Sequence, residues 1–310
     1  MNAASRFTPR AWLLFAAMAL IWGMPYLFIK EAVQSLSPPA VVCIRTLGAA
    51  LLLLPFAARA GALRPALRLW PWVLLFGLVE MAGPFLLLGH AEQTLPSGLT
   101  GLLVATVPLF AAVIGFFTGD RGALRPVRVI GLIVGFAGVA VVVAGPGLAA
   151  GDGVEGLLAI GEVLLVAVLY AIAPFVIATK LRAVPSLGTI SLSLLFIGVG
   201  YLPAALLTQH QAPTLRSLGA VLALTVVCTA VAFLVFFALI AEVGPARAPL
   251  FTYVNPIVAI ALGLVVLGEE ITVGLLFGLP LVIAGCWLAA TGGSIRMRRR
   301  PGAPPPVAAG

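Results

Sequence analysis

What most constrains this chain is a succession of ten apolar stretches, each close to the ~20 residues that a helix needs to cross a bilayer, separated by short joints. They fall at 11–29, 38–57, 69–89, 95–118, 127–145, 155–178, 187–207, 217–241, 245–267 and 272–291. The joints are rich in Pro, Gly and charge, as in Ser37-Pro38-Pro39, Gly119–Pro126 and Pro146–Gly153. The thinnest is Glu242–Pro245. The runs are about twice the length of a barrel strand and lack its alternation, so the expected fold is an all-α integral membrane protein with ten transmembrane helices. Only 9% of the 310 residues are charged and 62% are hydrophobic, whereas soluble domains carry about 25% charged residues. A soluble enzyme, a disordered chain and a nucleic-acid binder are excluded on this ground. Arg6 and Arg10 ahead of the first run resemble a signal peptide, but the run continues through Ile29 and others follow, so it reads as a retained first helix.

Charge placement gives the expected orientation. With the N-terminus on one side, fifteen of the eighteen Lys and Arg residues fall on that side, against Lys30 and Arg216 on the other and Arg45 within the second span. Basic loops stay cytoplasmic, so both termini are expected inside and the net charge of +8 is a matter of topology rather than of a polyanionic partner. The acids Glu31, Glu92, Asp152, Glu155, Glu269 and Glu270 are assigned to the outer side. Residues 292–310 read as a basic, disordered cytoplasmic tail.

The two halves of the chain match each other. Pro108 is followed by Gly115 and Gly119-Asp120, and Pro256 by Gly263 and Gly268-Glu269, at nearly equal offsets; Gly131 and Gly138 are seven apart, as are Gly278 and Gly285. Five helices per half is an odd number, so the second half (155–291) enters the membrane inverted relative to the first (11–145), an architecture of secondary transporters. These residues resemble EamA modules of the drug/metabolite transporter superfamily, in its ten-helix subgroup. The resemblance is carried by Trp22-Gly23, Arg45, Pro108 through Asp120, and "TYVNPIVAIALGLVVLGEEIT" from Thr252 to Thr272. Asp120 stands where the family has Glu, one residue early. The resemblance implies a carrier of amino acids, metabolites or cationic compounds, located in the inner membrane of bacteria.

Among intramembrane residues, Glu80 falls at the centre of its span, where a carboxylate costs about 2.5–3.5 kcal/mol on insertion scales. It reads as a proton carrier, a partner for a substrate amine, or a structural carboxylate. Arg45 and Glu162 lie about 10 Å from the outer ends of their helices at ~1.5 Å per residue, within reach of the interface or of each other; Arg45 reads as a salt-bridge residue or a binder of a substrate carboxylate. His90 reads as a capping or interfacial residue or a proton relay. Trp22, Tyr26, Phe85, Tyr170, Phe233, Phe237 and Tyr253, with Thr100, Thr106, Thr229 and Asn255, form a candidate aromatic and hydroxylic cavity lining. Pro25, Pro84, Pro108, Pro174 and Pro256 are candidate helix bends, each removing one backbone hydrogen bond. Trp12, Trp70, Trp72 and Trp287 read as interfacial anchors.

No catalytic signature, phosphate-cradling loop or metal-ligand spacing is present, and Cys43, Cys228 and Cys286 read as packing residues. No cofactor is expected. An aromatic cavity with few fixed charges suits amino acids with apolar or aromatic side chains, exported by alternating access, with protons as a candidate coupling ion. The second reading is efflux of cationic drugs or another small metabolite. A membrane-embedded transferase is the remoter one.

Overall fold

A computed structural model of the chain describes residues 8–118, 125–144, 153–244 and 248–291. Asp120, Asp152 and the tail at 292–310 lie outside the described residues. All ten expected spans are helices: α1 (Pro9–Ala32), α2 (Pro38–Arg59), α3 (Trp70–Thr94), α4 (Ser97–Phe117), α5 (Pro126–Val143), α6 (Gly153–Lys180), α7 (Ser186–Thr208), α8 (Leu215–Val243), α9 (Ala248–Leu267) and α10 (Val273–Thr291). Among the described residues there is no strand.

Local chemistry accounts for the ends. Thr8, Ser37 and Thr214 accept hydrogen bonds from the amides of Ala11, Ala40 and Ser217, capping α1, α2 and α8. Pro stands in the first turn of α1, α2 and α5, where no amide is needed. Gly244 (φ 85°) and Gly268 (φ 67°) take left-handed conformations that end α8 and α9. The thin separator after Glu242 is therefore a real break.

Several helices are interrupted mid-membrane. α1 opens at Trp22–Met24 and restarts at Pro25; α4 opens at Ala105–Thr106 and restarts at Val107-Pro108. α9 begins as a 3₁₀ segment, Ala248–Tyr253, before Asn255-Pro256. α3 and α8 each contain a π-helical segment, Leu78–Ala82 and Val226–Val231. α6 runs without interruption through Pro174.

Packing partners include α1 with α8, α3 with α6, α2 with α7, α4 with α9, α5 with α10, α4 with α6 and α1 with α9. Exchanging each helix for the one five places along maps this set onto itself. The α5–α10 contact is made backbone to backbone: a Cβ on Gly131 would lie 2.9 Å from Gly285 O, and one on Gly138 would lie 2.8 Å from Val282 N. The glycines at seven-residue spacing are close-approach positions.

One sequence expectation is corrected here. α3 continues past the expected end of its span at residue 89 to Thr94, so Glu92, expected beyond the span, is a helix residue and is completely buried.

Candidate functional site

Arg45 is the centre of the polar interior. α2 carries it into the bundle at 6% exposure, where its Nε donates to Thr229 Oγ1 at 2.9 Å. Thr229 in turn donates to Leu224 O at 2.8 Å, five residues back. That bond spans the π segment of α8, whose wider turn directs the hydroxyl toward α2. The guanidinium carbon lies 3.8 Å from the centroid of the Phe85 ring, a cation–π contact. Among the described residues the two terminal guanidinium nitrogens donate no hydrogen bond, and no carboxylate lies in salt-bridge contact with Arg45. Tyr26, Tyr170, Cys228 and Glu92 are within electrostatic range of it.

Glu80 stands in the π segment of α3, half-buried. Phe85 stands on the α-helical segment that follows the π segment. Tyr170 on α6 is within electrostatic range of both Glu80 and Arg45. The Glu80 carboxylate makes no hydrogen bond or ion pair among the described residues. Tyr201 on α7 donates to Ala82 O at 3.0 Å, holding the end of the π segment. The two π segments thus occupy corresponding helices, α3 and α8, and each contributes a polar group, Glu80 or Thr229, to the interior.

The remaining predicted residues divide. Tyr26 is 8% exposed and joins the Arg45 surroundings. Trp22 belongs to an aromatic packing cluster, its ring 6.0 Å from Phe233, 5.1 Å from Phe236 and 5.4 Å from Phe251; Phe237 stacks on Phe233. Asn255 bridges α1 and α9 when its amide is oriented to donate to Ala19 O and Phe251 O, each at 3.2 Å. Thr100 and Thr106 donate to carbonyls of their own helix, those of Pro96 and Leu103, and offer no hydroxyl proton to a ligand. Tyr253 is half-buried beside the main core. His90 Nδ1 and Glu162 Oε2 are 2.9 Å apart, so Glu162 meets His90 rather than Arg45, and the anticipated Arg45–Glu162 reach is not made. Four of the five prolines, Pro25, Pro84, Pro108 and Pro256, open the helical segment that follows an interruption. Trp12, Trp70, Trp72 and Trp287 are exposed on the outside of the bundle.

A second polar group, which the sequence does not announce, lies between the helix ends at the far side of the bundle from Pro9. Glu269 accepts the amides of Ser97 (2.6 Å) and Gly98 (3.1 Å), so the α9–α10 connection caps α4. Lys30 donates to Glu92 O at 2.7 Å and Leu95 O at 2.9 Å. Arg216 pairs with Glu31, and Gln209 accepts from the Ser37 amide at 2.7 Å and donates to Ser35 O at 2.9 Å. A cleft lined by Leu95, Leu99, Ile260, Leu275 and Glu269 opens beside this group and includes none of the central residues. The matched Gly-Glu ending of the second half was the only available signal, and it announced a repeat rather than a contact.

The comparisons with known proteins agree with this architecture. The EamA-like transporter family matches residues 9–144 and again 157–291. An Escherichia coli K12 protein named "Uncharacterized inner membrane transporter YedA" is 29% identical over 282 residues, covering 83% of this chain and 82% of its own. The Bacillus subtilis "Uncharacterized transporter YvbV" is 31% identical over 291 residues, covering 91% of this chain and 92% of its own. A solved crystal structure superposes with a TM-score of 0.63 at 20% identity, covering 90% of this chain and 96% of that one, which speaks for the fold. Ten helices of membrane-spanning length, and two successive matches to one family that together cover most of the residues, lead to the same conclusion: this chain belongs to the EamA-like transporter family.

Proposed function

We propose that this membrane transporter exports free amino acids, apolar and aromatic ones first, across the inner membrane by alternating access between two inverted five-helix halves. The observation that carries the cargo assignment is Arg45: a buried guanidinium held by Thr229 and Phe85, with its terminal nitrogens unengaged. A planar fork of donors suits a carboxylate. Glu80, whose carboxylate makes no hydrogen bond among the described residues and which, like Arg45, is within electrostatic range of Tyr170, suits an ammonium group. Phe85, Tyr26 and Tyr170 supply apolar area beside both charges. A purely cationic drug would meet Arg45 without a counter-charge, which favours the amino acid over the second cargo class.

The inverted halves are supported by packing pairs that exchange onto themselves and by π segments in α3 and α8. The interruptions in α4 and α9 add to this. The basic asymmetry supports cytoplasmic termini. A cysteine at Gly153 is expected to react with an impermeant thiol reagent in intact cells, and one at Leu63 to react only after permeabilisation. The reverse pattern sinks the orientation.

Glu80→Gln tests the cargo assignment. It is expected to slow amino-acid exchange in proteoliposomes by about 10- to 100-fold, the worth of a hydrogen bond to a charged group, while amine-free carboxylic analogues keep their flux. Loss of pH-gradient-driven flux with exchange intact makes Glu80 a proton carrier instead. Parental transport of every compound makes it structural.

A further inference from the structure

We propose that Glu92 is a proton-binding site at the outer end of the bundle, loaded while that end is closed and emptied when it opens. The inference rests on the alternating-access reading and adds to it a ligand and a residue outside the cargo centre.

Glu92 is 0% exposed and neither carboxylate oxygen has a hydrogen-bond partner. An ionised carboxylate is tolerated in an apolar interior only when donors or a cation reach it. The cations nearest Glu92 direct hydrogen bonds to other groups. From α1, Lys30 directs Nζ to the main-chain oxygens of Glu92 and Leu95, and Tyr26 is within electrostatic range. From α2, Arg45 binds Thr229 and Phe85. On α6, Glu162 meets His90, which stands two residues before Glu92 on α3 and therefore on another face of that helix. α4 carries no charged residue. The α9–α10 connection brings a second carboxylate, Glu269, of like charge within electrostatic range, while Lys30 and Arg45, also within range, offset part of the cost of ionising Glu92. A neutral carboxyl removes both penalties, because one proton on one oxygen leaves no net charge to solvate.

The same geometry selects a proton over a metal ion. A hard cation needs several oxygen ligands, but the oxygens of Glu92 and Leu95 main chain receive Lys30, and both Glu269 oxygens receive amides of α4. Ser97 Oγ is buried and unpartnered beside Glu269, and it alone would remain with the Glu92 carboxylate. A proton requires only one oxygen. It arrives from the outer solution, forms one O–H bond on Glu92, and leaves to water when the outer ends separate and hydrate the carboxylate. By linkage, whatever is bound in the closed form favours that form, so acid stabilises outer closure and alkali favours opening.

The test uses the full chain in lipid nanodiscs without cargo. Infrared difference spectra on acidification are expected to contain a protonated-carboxyl band that Glu92→Gln removes and Glu80→Gln leaves. A cysteine at Leu99, in the outer cleft, is expected to react several-fold faster with an impermeant thiol reagent in alkaline than in acid buffer. Glu92→Gln should flatten that profile and Glu92→Asp restore it, and exchanging sodium for choline should not alter it. Persistence of the band in Glu92→Gln, a pH profile indifferent to that substitution, or a sodium requirement each overturns the proposal. Adding saturating amino acid separates the two readings. Leu99→Cys reactivity that responds to cargo but not to pH removes Glu92 alone, and reactivity that responds to neither removes alternating access as well.

Discussion

Replacing Arg45 by methionine is expected to abolish transport of carboxylate-bearing cargo while leaving the protein at least as stable as the parent. The two halves of this expectation have separate causes. In the resting structure Arg45 has no carboxylate partner; it holds one hydrogen bond to Thr229 and one aromatic face. A buried charge so lightly compensated is costly, and replacing buried ionic groups by apolar side chains of similar volume is neutral or stabilising by about 1–4 kcal/mol. Thr229 keeps its own donor satisfied by Leu224 O, so the substitution strands no donor. Cargo, by contrast, loses the partner of its carboxylate in a desolvated site, at a cost of about 2–5 kcal/mol, or roughly 30-fold to several-thousand-fold in affinity. Exchange in proteoliposomes and thermal unfolding in detergent measure the two quantities on one preparation. Full exchange together with a lowered melting temperature would show that Arg45 serves the fold.

Gly285→Val is expected to be the most damaging single substitution for the fold. A Cβ at Gly285 would meet the amide nitrogen and Cα of Gly135, and lie 2.7 Å from Gly131 O. These are backbone atoms, so no rotamer change relieves the clash; α5 and α10 must part along their length. Overpacking of this kind costs about 1–3 kcal/mol when side chains can adjust, and a rigid backbone neighbour puts the cost at the upper end or beyond. The matched control is Gly161→Ala on α6, where a Cβ meets nothing within 4 Å. That change adds helix propensity, worth up to about 1 kcal/mol. Thermal stability of the two purified variants should move in opposite directions. Equal behaviour would mean that α5 and α10 do not meet in this register.

The interior was partly readable beforehand. Glu80 and Arg45 were found because ionisable groups are rare within apolar runs, and the prolines because each removes a backbone donor. Thr100 and Thr106 looked equivalent to Thr229 in the sequence, yet only Thr229 accepts from Arg45; a hydroxyl on a helix has its own carbonyls within reach, and the π segment of α8 decided the difference. Trp22 and Phe233 carry the chemistry of a binding wall, and the structure shows that they also pack on each other. The end of α3 was set five residues short of Thr94 because a carboxylate near the end of an apolar run reads as the start of a loop.

The spans, their number and the resemblance between the halves were determined by the sequence alone. A bilayer requires every backbone amide to be satisfied within its own segment, so apolar length is sufficient to announce a helix. The tertiary structure decided which polar groups meet. Arg45 faces Thr229 and Phe85, Glu162 meets His90, Glu269 caps α4 and Glu92 is sealed without a donor, each through residues distant in the chain or through a π turn. The local rules of a membrane helix act over one turn, whereas the partners of a buried charge depend on the rotation of whole helices against one another.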